Sequence, residues 1–367
     1  MATAGGTKEE YAARRRSYRA LLRAQGIDGM VLTHLPDIRH LCGFTGSSGV
    51  ALLLRQGGYF FTDFRYREQS AREVVGLRTV IYATSVEEAV AKTLQRRRGL
   101  RLGFDRDVAS YAGVMALRRH LRGIAALLPL KGSLGLLRAP KSRSELETIR
   151  KCIDIAQRAF LTALRDVDGR SSEFDLAAAI DIAARRLGSE RPSFDTIVAA
   201  GSRGALVHAG PSRKRLRGVT VIDWGVELRG YCSDTTRTVA FGKVPPLLEK
   251  AHCLVLEAQE RALDMVRPGV KARKVDGAAR EVIERAGYGD AFGHGLGHGV
   301  GLEVHERPHV SPASRDIIEE GMVFTNEPGI YLPGIGGVRV EDMVYVTATG
   351  PELLTTLPRG LDPSDYI

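Results

Sequence analysis

GVTVIDWGVELRGYCSDTTRTVAFG, residues 218–242, is the stretch that decides the fold. Two apolar, β-branched runs, Val219–Gly225 and Ser233–Gly242, flank Glu227-Leu228-Arg229-Gly230, the pattern of a β-hairpin. With the tip at Leu228-Arg229, Asp223 and Asp234 stand directly opposite each other, where facing side chains lie about 4.5–5.5 Å apart at Cβ. Two carboxylates that close repel unless a proton or a cation separates them. Aspartates of a solvated turn need neither. The flanks here, however, are Val219, Val221, Ile222, Trp224, Val239, Ala240 and Phe241, which belong in an interior. A buried, unneutralised pair is costly, so a bound metal is the more economical reading.

Downstream, four of the nine histidines fall within residues 294–309, in FGHGLGHGVG (292–301) and EVHERPH (303–309). His294 and His298 have the i, i+4 spacing of a helical zinc pair, but the interleaved glycines argue against a helix and against HExxH chemistry. They indicate an extended or looped segment with close backbone approach. TNEPG (325–329) and GVRVED (337–342) follow. On a strand over 338–346, Arg339 and Glu341 share one face, so both look into the same space. The second half thus offers the carboxylates Asp223, Asp234, Glu327 and Glu341 with the imidazole of His298. Mostly oxygen donors with one nitrogen suit a divalent metal of intermediate hardness. Five ligands, two of which can bridge, are about right for two metals roughly 3.5 Å apart.

Around this core the pattern is α+β. Helices are expected at 173–187, 247–266 and 272–286, the second stopped by Arg267-Pro268-Gly269, and strands at 194–200, 219–225, 234–241, 322–327 and 338–346. Ser142 and Glu145 form a capping box. It opens a helix with the stripe Leu146, Ile149, Ile153, Ala156, Phe160 and Leu164, expected to bridge two domains, 1–138 and 139–367. The first of these reads as α/β with a mixed sheet: a helix over 9–25 closed by Gly26, strands at 29–33, 50–54 and 59–62 with a hairpin turn at 55–58, helices at 64–75 and 86–98, and a strand at 100–104. Gly43–Gly49 is glycine-rich but has neither phosphate-binding form, so it reads as a turn.

The whole chain has 367 residues, 44% hydrophobic and 26% charged, which excludes a disordered or collagen-like polymer. No apolar run is long enough for a membrane-spanning helix. The charged beginning does not read as a signal peptide, and four scattered cysteines suit a reducing compartment, so a cytoplasmic protein is expected. Residues 1–140 carry 23 Lys/Arg against 11 Asp/Glu, whereas residues 141–367 carry 30 against 32. A basic half can mean nucleic acid. The runs Arg14–Arg16 and Arg96–Arg98 lack interleaved aromatics, however, and read as solvated surface without a nucleic-acid partner.

VIDWG (221–225), SDTTRT (233–238), HGLGHGVGLEVHE (294–306), NEPGIY (326–331) and GVRVED (337–342), in this order, resemble the metallopeptidases of the M24 prolidase and aminopeptidase P group. The resemblance covers roughly residues 140–367 and implies a pita-bread fold. LCGFTGSSG (41–49) and FTDFRYREQS (61–70) more loosely resemble that group's creatinase-like N-terminal domain. It further implies that Asp223 serves one metal, His298 and Glu327 the other, and that Asp234 and Glu341 bridge them. In that group a hydroxide held between the metals attacks the scissile carbonyl, and Glu327 resembles the group's general base. His208 and His305 match donors to the substrate carbonyls, and His294 and Arg339 match residues lining the substrate pocket. The implied reaction is hydrolysis of an Xaa-Pro bond by a homodimer holding two divalent ions, manganese first, with cobalt, zinc or iron fitting the same ligands. A dipeptide is the expected substrate, with longer peptides as the alternative, because the extra domain of some longer-peptide relatives is not seen in this sequence. A methionine aminopeptidase shares the ligands but not GVRVED, creatinase shares the fold but not the metals, and a binding module on a dead scaffold should have lost ligands. Trp224 departs from the smaller apolar residue expected beside Asp223 and leaves the ligand set intact.

Overall fold

The computed structural model describes residues 6–132, 134–168 and 170–366. The chain divides into two compact units, Met1–Arg138 and Ala139–Ile367. The first is built on a six-stranded mixed sheet in the order Arg78–Ile81, Gly58–Thr62, Val50–Leu54, Gly29–Leu32, Leu100–Phe104 and Ala125–Pro129. The two interfaces made by Val50–Leu54 are antiparallel and the other three parallel. Helix Lys8–Ala24 ends as its sequence indicates: Gly26 takes φ +63°, and Ile27 N–H reaches back to Leu22 O at 3.0 Å, closing the orphan carbonyls of the last turn. Five elements escape the apolar-pattern reading: helices Leu35–Cys42, Tyr111–His120 and Gly135–Arg138 and the two edge strands. The edge strands pair on one side only, and the exposed or half-buried Arg78, Thr79, Ala125 and Ala126 leave little alternation to read.

In the second unit, helix Arg143–Asp166 opens with the capping box in place: Ser142 N–H donates to Glu145 Oε2 at 2.8 Å, and Glu145 N–H to Ser142 Oγ at 3.4 Å. This helix lies wholly within the second unit. Its stripe joins helix Glu173–Arg186, Ile222, Trp224 and Val239 in one core. Trp224, fully buried, stacks on Phe160 with ring centroids 4.2 Å apart and donates its indole N–H to Ala156 O at 2.9 Å. A second core lies under helices Pro246–Met265 and Ala272–Arg285. The described residues of this unit form four sheets: Thr235–Phe241 beside Gly218–Trp224 beside Ile197–Ala200; Tyr231–Cys232 beside Val226–Leu228 beside Arg191–Pro192; a five-stranded sheet through Glu306–Val310, Gly297–Gly299, Val323–Asn326, Asp342–Val346 and Pro351–Leu353; and the hairpin Gly329–Leu332/Gly336–Arg339. Among the described residues no helix is long and apolar enough to cross a membrane.

Two sequence expectations change here. The hairpin tip is Arg229-Gly230, not Leu228-Arg229: both residues have positive φ, +50° and +68°, and Leu228 pairs with Tyr231, the signature of a tight two-residue turn. The register therefore moves by two, and Asp223 faces Thr236, not Asp234. Asp234 becomes the diagonal neighbour on the same face, because side chains alternate with period two. Gly225 interrupts the first strand where any Cβ would collide with the Ser233 carbonyl. The expected strand over 338–346 is likewise two strands, Gly336–Arg339 and Asp342–Val346, which pair with different partners and meet at Val340-Glu341.

Candidate metal centre

All nine residues singled out from the sequence line one cavity of about 610 Å³ in the second unit: Asp223, Asp234, His298, Glu327, Glu341, His208, His294, His305 and Arg339. The five proposed ligands come from separate elements. Asp223 lies on Gly218–Trp224, Asp234 precedes Thr235–Phe241, and His298 is on Gly297–Gly299. Glu327 and Glu341 occupy the breaks after Asn326 and before Asp342. The glycines around His298 serve close approach: a Cβ at Gly297 would strike the Thr325 carbonyl, and one at Gly299 the Arg307 carbonyl.

Asp234, His298 and Glu341 each present a ligand atom within 4.8 Å of the others. His298 Nε2 lies 3.3 Å from Glu327 Oε1 and 3.6 Å from Asp234 Oδ2. Its Nδ1 is 3.2 Å from Gly299 O; a proton there donates to that carbonyl, and in the neutral ring that tautomer frees the Nε2 lone pair for a cation among the carboxylates. Thr236 Oγ1 donates to Glu341 Oε2 at 2.7 Å, and Thr325 Oγ1 to Glu327 Oε1 at 3.0 Å. Asp223 Oδ1 and Glu341 Oε1 are buried with no hydrogen-bond partner.

The electrostatics match that geometry. Burial, and then neighbouring carboxylates, push Asp234 and Glu341 far above the ordinary carboxylate range. Asp223 is raised by burial, against the pull of Arg339. Glu327 goes the other way: burial acts to raise it, but the bond and charge of His298 outweigh that, and reciprocally hold His298 high. Four acidic groups packed together with orphaned oxygens form a cation site by the chemistry of the donors. The residues present fit divalent ions.

The remaining residues surround this centre. Burial lowers the pKa of His294, whose Nδ1 is 2.7 Å from Gly295 O and Nε2 2.9 Å from the Tyr331 hydroxyl. Arg339 is only 2% exposed. Its guanidinium reaches Asp223 Oδ2 at 2.6 Å, Tyr331 Oη at 2.9 Å, Thr236 Oγ1 at 3.1 Å and Val207 O at 3.4 Å. Arg339 thus holds Asp223 as well as lining the cavity. The His305 ring lies against His298 with centroids 4.1 Å apart and planes tilted by 58°, and His208 is exposed at the cavity. The sequence reading missed Tyr331, Thr236 and His309. Tyr331 sits inside the quoted NEPGIY, yet only the hairpin register, with Tyr331 opposite Gly337 and so diagonal to Arg339, brings its hydroxyl to both His294 and Arg339.

A pita-bread unit carrying this carboxylate–histidine centre defines a metallopeptidase. The chain belongs to Metallopeptidase family M24, whose profile matches residues 147–348, and residues 14–139 match the Creatinase/Prolidase N-terminal domain. It is 38% identical over 345 residues to an uncharacterized peptidase, YqhT, of Bacillus subtilis, covering 94% of this chain and 98% of that one. Its structure is similar to an Xaa-Pro dipeptidase from Bacillus anthracis (TM-score 0.89, 37% identity, 97% of this chain and 99% of that one). It is also similar to an X-Pro aminopeptidase from Thermotoga maritima (TM-score 0.84, 35% identity, 94% and 99%).

Proposed function

We propose that this metallopeptidase hydrolyses the Xaa-Pro bond, with dipeptides as its preferred substrates. The observation that carries the reading is the cavity itself, in which a five-ligand acidic centre faces both an apolar wall and a set of imidazoles. Phe194, Ile197 and Val207 line it alongside the polar residues and form the wall a proline ring requires. Asp223, Asp234, His298, Glu327 and Glu341 would hold two divalent ions, Asp234 and Glu341 serving both. Ions held there would supply Lewis acidity toward the scissile carbonyl and would lower the pKa of the attacking water. Glu327 takes the water's proton and passes it to the leaving nitrogen. His305 and His208 donate to the substrate carbonyls as charge develops. His294, neutral through burial and fixed by Tyr331, shapes the pocket with Arg339, whose charge faces the polar end of the substrate. The free amine would dock on the Asp223 side of the cavity.

We further propose manganese as the working metal, a homodimer as the working assembly and the cytoplasm as its compartment. Oxygen-rich ligands with one imidazole support the first, and four free cysteines, three of them buried, support the last. The deciding experiment gives the manganese-loaded protein an Xaa-Pro dipeptide, an Xaa-Pro tripeptide, the matching Xaa-Ala peptides and an N-acetylated Xaa-Pro peptide. Cleavage should require proline second and a free amine, with the dipeptide fastest. Equal turnover of Met-Ala-Ser would assign the chain to methionine aminopeptidase chemistry. A faster tripeptide would assign it to aminopeptidase action.

A further inference from the structure

Glu327 and Glu341 enter the centre from different strands, and both stand just outside regular sheet. The antiparallel ladder between their strands sets the register but ends one step short of them, with Asn326 opposite Asp342, so the two glutamates stand beyond its last rung. The residues immediately before them, Asn326 and Val340, present their carbonyls to one side chain. Gln259, on helix Pro246–Met265 and 1% exposed, donates Nε2–H to Asn326 O at 3.1 Å and to Val340 O at 3.2 Å. Asn326 Nδ2 returns a bond to Gln259 O at 2.9 Å. A primary amide has two N–H donors, and these two carbonyls use both. Reversing the amide would set Oε1 against two acceptors, so the orientation is fixed by its partners.

The other end of the amide is informative. Gln259 Oε1 is buried with no hydrogen-bond partner, a cost that methionine or leucine at this position would not incur. Packing alone does not call for an amide here; two donors in one plane do. From the opposite side, Glu341 N–H donates to Thr236 O at 3.1 Å, and Arg237 Nη1 donates to Glu341 O at 2.6 Å. The backbone at the strand break is thus held on both sides.

We infer that Gln259 is a positioning residue that sets the separation of Glu327 and Glu341, by tying the carbonyls just before them to a single amide. The inference rests on the proposed role of these two glutamates as ligands. Neither Gln259 nor its bonds touch the substrate cavity, so its effect runs through the metal pair.

The test is manganese(II) binding by titration calorimetry, with the electron paramagnetic resonance spectrum of the loaded protein reporting exchange coupling between the ions. Gln259→Met keeps the volume and removes both donors. It should weaken the second ion roughly 10–100-fold, the usual effect of losing an outer-shell partner, and replace the coupled spectrum by that of isolated ions. Val255→Ala, equally buried on the same helix, is the packing control: it should lower the melting temperature and leave affinity and coupling unchanged. If Gln259→Met does not fold, Gln259→Glu, which keeps the shape and exchanges the doubly donating end, should show the same weakening. A folded Gln259 variant that binds two coupled ions with wild-type affinity overturns the inference alone. Wild-type protein that takes up no second ion overturns the ligand assignment, and this inference with it.

Discussion

Glu341→Gln should stabilise the metal-free protein and destabilise the loaded one. Glu341 is 1% exposed, and its ligand atom lies within 4.8 Å of those of Asp234 and His298. Two full negative charges at that separation repel by about 3.5 kcal/mol at an effective dielectric constant of about 20. Proton uptake already relieves part of this, since burial and the surrounding carboxylates raise both groups well above the ordinary range. The remaining gain is roughly 1–3 kcal/mol, or roughly 3–10 °C in melting temperature for a unit of this size. The substitution costs little elsewhere: the amide oxygen can keep the 2.7 Å bond from Thr236 Oγ1, and the new N–H₂ faces the side where Oε1 lacks a partner. Manganese inverts the order. Each ion at a hundred times its dissociation constant adds about 2.7 kcal/mol to the wild type, whereas the variant has lost a bridge. Calorimetric melting in chelator and in excess manganese reads both signs, and titration reads the stoichiometry. A variant that melts lower than wild type in chelator refutes the repulsion argument; one that binds two ions with wild-type affinity refutes the bridge.

The other expectations are more direct. His305→Ala should keep its metal and lose roughly 10²–10³ in kcat, the usual cost of one lost oxyanion-type donor, while His298→Ala should lose metal and rate together; a metal-free His305 variant would make that residue a ligand. The chelated wild type should melt lower as pH rises between about 6.5 and 8, above the range in which His252, His294, His305 and His309, lowered by burial, act in the opposite sense. With Asp234 and Glu341 raised, the folded chain holds protons the unfolded chain has released, so their contribution is complete below the unfolded carboxylate range, about pH 4, and is lost as pH climbs through the raised values. Glu327, held low by His298, has the opposite slope, but only in acid below that range; saturating manganese should flatten the profile, and a chelated protein that instead gains stability with pH contradicts the assignment. Lys141→Met should cost roughly 3–5 kcal/mol, because it removes the ammonium 2.5 Å from Glu306 Oε1 where both side chains are 1% exposed; thermal melting checks it, and pairing the change with Glu306→Gln should recover much of the loss.

The elements that bury a continuous apolar pattern were legible in the sequence. Helix Arg143–Asp166 begins where Ser142 and Glu145 cap it, helix Lys8–Ala24 ends where Gly26 turns, and the strands Val50–Leu54 and Leu100–Phe104 match the sequence reading residue for residue. Local chemistry fixes these points, and local chemistry is what a sequence displays. The edge strands and the break at Val340-Glu341 depend on partners distant in sequence. Gln259 is 67 residues from Asn326 and 81 from Val340, and no spacing rule links them.

The centre was legible for a different reason, which the hairpin makes plain. Placing its tip one residue too early moves the pairing by two, and Asp223 exchanges Asp234 for Thr236 as its opposite neighbour. A shift of two preserves the face, because strand side chains alternate with period two. Both aspartates therefore still point into the cavity, and the electrostatic argument for a cation survives a wrong register. A shift of one would have turned one carboxylate outward and left the other beside Glu341 with half the negative charge. What the correct register adds is the residue between them: the hydroxyl of Thr236, opposite Asp223, accepts from Arg339 Nε–H and donates its own proton to Glu341 Oε2. The hydroxyl joins the cationic and acidic sides of the centre, and only the pairing of the strands, not the composition of either, could have placed it there.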